Sequence, residues 1–145
     1  MSLSPASSLA SQGYGFQVGD GTIDDVLFFA QGAPATPTTT ATLTAAQLAT
    51  GLLVVDQGSS SGTTQTLPTG TLMDAAFKNM RVDTAFDLKI VNIATDASAD
   101  LTIAAGTGWT LVGNMVIASN AAATDISSAT VRIRKTGVAT WTLYR

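Results

Sequence analysis

The 145-residue chain contains no cysteine, no histidine and no glutamate; all ten of its acids are Asp. Without His or Cys there is no Ser-His-Asp or Cys-His nucleophile, no ordinary zinc site and no disulfide framework. Charged residues make up 12% of the chain, about half the usual share. The formal charge is −3 and the isoelectric point is near 4.4, so a nucleic-acid phosphate backbone is not an expected partner. Long apolar runs are missing too. The densest are Val26-Leu27-Phe28-Phe29-Ala30 and Leu52-Leu53-Val54-Val55, whereas a spanning helix needs about 20 apolar residues, so no membrane is expected. The opening Met1-Ser2-Leu3-Ser4-Pro5-Ala6-Ser7-Ser8 has neither the basic nor the apolar region of a secretory signal.

What the chain does have is Ala and Thr, which, with so few charges, raise the mean hydropathy to +0.31. A surface of small, weakly polar groups loses little hydration when another protein covers it. The charge is unevenly divided. Residues 1–77 carry Asp20, Asp24, Asp25, Asp56 and Asp74 with no Lys or Arg; residues 78–145 carry seven basic residues against five Asp. An acidic front half favours docking on a basic or neutral protein surface.

Residues 1–19 are rich in Ser, Gly and Ala with no apolar period, which reads as an arm. A short apolar anchor follows at 22–30, then a Pro/Thr linker at 31–42, whose Pro34 and Pro37 favour an extended path reaching about 35–40 Å. The domain organisation expected is therefore an N-terminal arm and linker over 1–41 and a globular domain over 42–145. That domain opens on a capping-box spacing, Thr44 with Gln47, and Gly51 sits where a helix would stop, so helical turns are predicted at 45–50. The best helix is 71–80, with Thr71 as cap. Met73, Ala76, Phe77 and Met80 form one apolar face, and Asp74 pairs with Lys78 at i, i+4. The remainder reads as short strands: 52–55, 63–67, 86–93, 101–104, 109–112, 114–118, 131–134 and 139–144, the last two joined by a tight hairpin. The spacing predicts an all-β fold, an antiparallel β-sandwich or jelly roll with one short, clear helix and an extended N-terminal arm.

Sites of chemistry are few. Asp20-Gly21-Thr22-Ile23-Asp24-Asp25 departs from a calcium loop, with Thr22 at its third position and Gln31 at its twelfth, and reads as a polar turn. The Asp residues are scattered, so no carboxylate pair suited to glycoside hydrolysis stands out. Gly106-Thr107-Gly108 is followed by Trp109 and a strand, not by a helix with a phosphate-binding Lys. Arg132 and Arg134 share a strand face that could meet an acidic partner. Trp109, Trp141 and Tyr144 read as core or subunit-contact residues. No catalytic residue, metal or cofactor is expected.

The run Thr42-Leu43-Thr44-Ala45-Ala46-Gln47-Leu48-Ala49-Thr50-Gly51, followed by Thr66-Leu67-Pro68-Thr69, resembles a module of tailed-phage virion proteins. Residues 86–92, the run from Ala104 to Met115 and the closing Trp141-Thr142-Leu143-Tyr144-Arg145 extend the likeness over about 42–145. The chain is similar to capsid decoration (cement) proteins. That resemblance implies a β-sandwich that trimerises on the outer capsid surface of a virion, its arms spread over the major capsid protein. The alternative is a tail-fibre or head-fibre receptor-binding module. The expected contacts with the capsid or a neighbouring subunit are Tyr14, Phe16, Ile23, Asp24, Asp25, Val26, Leu27, Phe28 and Phe29. Their apolar members lie in a segment too short to build its own core, so they need a surface to cover them.

Overall fold

The computed structural model describes residues 16–17, 28–58 and 61–145. The chain divides into two units, Met1–Gly32 and Ala33–Arg145. In the first, β1 (Phe16–Gln17) and β2 (Phe28–Phe29) pair antiparallel, Phe16 opposite Phe29.

The second unit is mostly β, with two sheets and two short helices among the described residues. Its strands are β3 (Ala41–Thr42), β4 (Leu52–Val55), β5 (Thr63–Thr66), β6 (Ala85–Asn92), β7 (Leu101–Ala104), β8 (Trp109–Val112), β9 (Val116–Ile117), β10 (Ser128–Gly137) and β11 (Thr140–Tyr144). One sheet has the order β4-β6-β10-β11-β8, the other β3-β5-β7-β9. From β3 to β10 the chain changes sheet at every strand; only β10 and β11 follow one another within a sheet as a hairpin.

This alternation corrects the expectation of antiparallel pairing throughout. β3 with β5, β5 with β7, β4 with β6 and β8 with β11 are all parallel. Parallel neighbours need a long crossover, and here each crossover contains a strand of the opposite sheet. The turn residues between strands therefore mark passages from one sheet to the other, which local turn chemistry does not distinguish from hairpins.

The buried positions of both sheets belong to one cluster. Leu53, Val55, Leu88, Ile90, Val131, Ile133, Trp141 and Leu143 come from the five-stranded sheet; Leu101, Ile103 and Ile117 come from the four-stranded sheet. Period-two alternation puts them inside, as in Leu88 and Ile90 between exposed Asp87 and Lys89. Asn92, fully buried, donates through Nδ2 to the carbonyls of Ala99 (2.9 Å) and Ile117 (3.3 Å), tying β6 to the four-stranded sheet.

Helix α1 (Ala45–Ala49) carries the capping box expected: Thr44 Oγ1 accepts from Gln47 N–H, and Thr44 N–H donates to Gln47 Oε1 at 2.8 Å. Helix α2 (Gly70–Ala76) is shorter than the expected 71–80 and is capped by Thr69, not Thr71. It stops because Phe77 leaves helical geometry and packs its ring against Phe86, with centroids 5.1 Å apart, and against Trp141 at 6.1 Å. Met73 is fully buried and Phe77 and Met80 pack on the core, whereas Ala76 faces out.

The boundary of the second unit falls at Ala33, ahead of the Thr42 expected. The Pro/Thr segment is bonded onto the body. Ala35 adds to the edge of β4, donating to Leu52 O (3.2 Å) and accepting from Val54 N–H (2.9 Å). Thr39 O accepts from the buried Gln65 amide at 2.6 Å, and Thr40 Oγ1 accepts from Thr64 N–H. Extended residues with free backbone donors and acceptors are well suited to covering a sheet edge, so this segment is not a linker with a 35–40 Å reach.

Candidate interaction surface

The motifs carried by Thr66-Leu67-Pro68-Thr69 and Gly106-Thr107-Gly108-Trp109 meet at one place. Gly70 N–H donates to Thr107 O (2.8 Å), Trp141 N–H to Gly108 O (2.9 Å) and the Trp109 indole to Pro68 O (2.6 Å). The β10–β11 turn, Val138-Ala139, lies against them so closely that a Cβ on Gly70 or Gly108 would overlap the Ala139 carbonyl. Ala139 itself has a left-handed φ of 50°, a conformation that costs an L-residue about 1–2 kcal/mol.

Asp74 holds this turn. One carboxylate oxygen accepts from Ala139 N–H at 2.8 Å; the other takes the Trp141 indole N–H at 3.2 Å and lies 2.9 Å from Lys135 Nζ. The ammonium stands 5.6 Å from the centre of the Trp141 ring. Asp74 thus pairs with Lys135 on a distant strand and not with Lys78, as the helix spacing predicts. The Ala139 N–H, followed by Lys135 and the indole, holds the Asp74 carboxyl below its ordinary 3.8 despite partial burial. A carboxyl depressed in the folded state stabilises the fold above its unfolded pKa and loses that contribution as pH falls through the folded value. Asp74→Asn is expected to cost about 1–3 kcal/mol at pH 7. It should also flatten the fall in stability below pH 4, both read from urea unfolding at pH 7 and pH 3.

The Asp74 carboxylate, both indoles and the Lys135 ammonium are engaged with one another or with backbone, which makes the junction a device for positioning backbone. A depression of about 420 Å³ at the end of α2 is lined by Ala75, Ala76, Phe77, Lys78, Asn79 and Met80, with Lys78 its one titratable group. Among the described residues no three acids gather as a metal site, and no helix is long and apolar enough to cross a membrane.

The outer faces of the two sheets differ. On the five-stranded sheet the register aligns Asp87, Arg132, Tyr144 and Val112 in one row and Ala85, Arg134, Thr142 and Thr110 in the next. Arg132 grips Asp87 bidentately at 2.7 and 2.9 Å, and Arg134 pairs with Asp83. These two arginines, read as a patch for an acidic partner, are thus engaged within the chain. The four-stranded sheet aligns Thr42, Thr66 and Ala104, and beside them Thr64, Thr102 and Val116, with no charge among them. Trp109 and Trp141 are buried in the core, and Tyr144 is exposed.

Of the expected contact residues, Tyr14, Ile23, Asp24, Asp25, Val26 and Leu27 lie outside the described residues. Phe16, Phe28 and Phe29 are placed by backbone alone, in the β1–β2 ribbon, with Phe16 opposite Phe29. Lys135 and Ala139, which organise the junction, were not singled out by sequence reasoning, and Asp74 was read only as the partner of Lys78. The hairpin turn is expected at Lys135-Thr136-Gly137-Val138 with the positive φ at Gly137; the structure carries β10 through Gly137 and puts the positive φ at Ala139, and no local signal exists for Asp74 with Lys135. No protein family, curated protein or solved structure matches this chain.

Proposed function

We propose that the protein is a non-enzymatic structural component of a phage virion, a homotrimer on the outer surface of the head that contacts the major capsid protein and stabilises the assembled lattice. The observation that carries this reading is the charge-free outer face of the four-stranded sheet, where six aligned positions are Thr, Ala or Val. Covering such a face with protein strips few water molecules from charged groups. Two sheets that share one core fit a β-sandwich, and residues 1–32, outside that unit, fit an arm that reaches a neighbour.

The mechanism is linkage. A protein that binds the assembled lattice and not the free subunit stabilises the lattice by about 2.7 kcal/mol when its free concentration is one hundred times its dissociation constant. Purified full-length chain mixed with undecorated, expanded heads is expected to co-sediment to saturation and to raise the temperature at which the heads disrupt. Failure to co-sediment with heads, or recovery with tails after virion disruption, would overturn the head assignment.

A further inference from the structure

The strands of the second unit run between two ends, and the hydrogen bonds say which stretches gather at each. At one end Ile93 N–H donates to Val55 O, Asn92 N–H to Ser127 O, Asn120 N–H to Ala94 O and Thr63 N–H to Asp100 O. These bonds bring together the stretches 56–62, 93–100 and 118–127. At the other end Asp83 N–H donates to Lys135 O and Lys135 N–H to Thr84 O, beside the junction of α2 with the β10–β11 turn. Strand β6 runs from one to the other, with Ala85 opposite Arg134 at its start and Val91 opposite Ser128 near its finish. Its eight residues set the ends about 23 Å apart.

Charge is divided between these ends. The first carries Asp56, Asp96, Asp100 and Asp125 and no Lys or Arg. Each carboxylate accepts a backbone N–H, from Gly58, Ser98, Ser119 and Ala122 in turn, which fixes it in place and leaves its charge uncompensated. The second end carries Lys78, Arg81, Arg134 and Lys135 against Asp74 and Asp83. Arg134 pairs with Asp83 and Lys135 with Asp74, so Lys78 and Arg81 are its surplus. All seven Lys and Arg of the chain fall between 78 and 145, within the described residues, so no other segment brings a basic side chain to the acidic end.

Both ends also expose apolar side chains. Ile93 and Ile126 stand out at the acidic end; Leu72, Val82 and Val138 stand out at the basic end, Val138 being 86% exposed. Apolar groups set beside charged ones are the make-up of a protein contact with a polar rim.

We propose that the two ends are the two halves of one contact between copies: the acidic end of one chain seats on the basic end of the next. Opposite charge selects this pairing, because acidic against acidic, or basic against basic, sets like charges face to face. The contact is heterologous, each copy giving one end and receiving at the other. This deepens the proposed function by giving the homotrimer its contact, and rests on that reading only for the number three.

A contact with two unlike halves can be blocked from either side, and the full-length chain supplies the test. One variant carries Lys78→Asp with Arg81→Asp at the basic end; the other carries Ala97→Lys with Ile126→Lys at the acidic end. All four side chains are exposed, so circular dichroism should match the parent's. In light scattering over a range of concentrations the parent is expected to rise above the 14.8 kDa of a single chain, and each variant alone to stay there. Val138→Asp blocks the basic end independently and is expected to give the same monomer. Mixed, the two double variants are expected to form a dimer and nothing larger, because one intact acidic end and one intact basic end remain. A parent that stays monomeric up to its solubility limit, variants that keep the parent's mass, or a mixture that stays monomeric would overturn the contact. Head binding is scored separately. A parent that associates by its ends and ignores heads overturns the capsid reading alone; heads decorated by a parent whose association survives both double variants overturn the contact alone.

Discussion

Gly108→Ala is expected to lower stability by about 3 kcal/mol or more, the sum of a left-handed backbone forced on a residue with a Cβ and the displacement of a packed neighbour. Gly108 has φ +89, and its new methyl would meet the Ala139 carbonyl, with the Gly70 Cα 3.5 Å away. No flexible side chain stands there to yield; the obstacle is backbone, with the Ala139 N–H held by Asp74, while the Trp141 N–H ties the Gly108 carbonyl to the same strand. Gly70→Ala should act similarly, because its Cβ would overlap the same carbonyl. Gly32→Ala is the control, having no atom within 4 Å of the added carbon. Thermal unfolding followed by circular dichroism should show a fall of at least about 10 °C for either junction variant and little change for the control. Equal melting temperatures for all three would remove the junction from the account of the fold.

The second large effect lies at the front of the compact unit. Removing residues 1–32 should leave a folded body whose melting temperature stays within about 2 °C of the full chain. Removing residues 1–42 should cost about 2–4 kcal/mol, because hydrogen bonds of a buried amide and two sheet edges go with them. The longer deletion takes away Ala35 from β4, the Thr39 carbonyl from Gln65 and the Thr40 hydroxyl from Thr64. Comparable urea midpoints for the two truncations would show the 33–42 segment to be dispensable. The comparison also decides where an arm deletion should end if head binding is to be measured on an intact body.

Features whose causes lie within a few residues were legible in the sequence. The Thr44–Gln47 capping box is one, and the strand intervals, set by alternation of residues such as Asp87, Leu88, Lys89 and Ile90, are another. What depended on distant partners was not. Asp74 has a good local partner in Lys78, yet Lys135 offers a less exposed site with an indole and an amide beside it. Phe77 continues the apolar period of α2, but its ring is better buried against Phe86 and Trp141 than by another helical turn. Strand pairing was least legible, since periodicity says which face of a strand is buried but not which strand lies beside it. The terminal place of β8 in its sheet follows from pairing alone; Trp109-Thr110-Leu111-Val112 would read identically at the centre of a sheet.

The passage of the chain from sheet to sheet at successive strands also governs how fast the protein can form. Leu52 must find Lys89, Thr63 must find Leu101, and Trp109 must find Trp141, each across a stretch that crosses the other sheet on the way. The entropy of closing such loops is lost before any contact repays it, and chains dominated by distant pairings fold slowly, in milliseconds to seconds. Within the second unit the β10–β11 hairpin has the shortest closure among the described strand pairs, joined through Gly137 and Thr140.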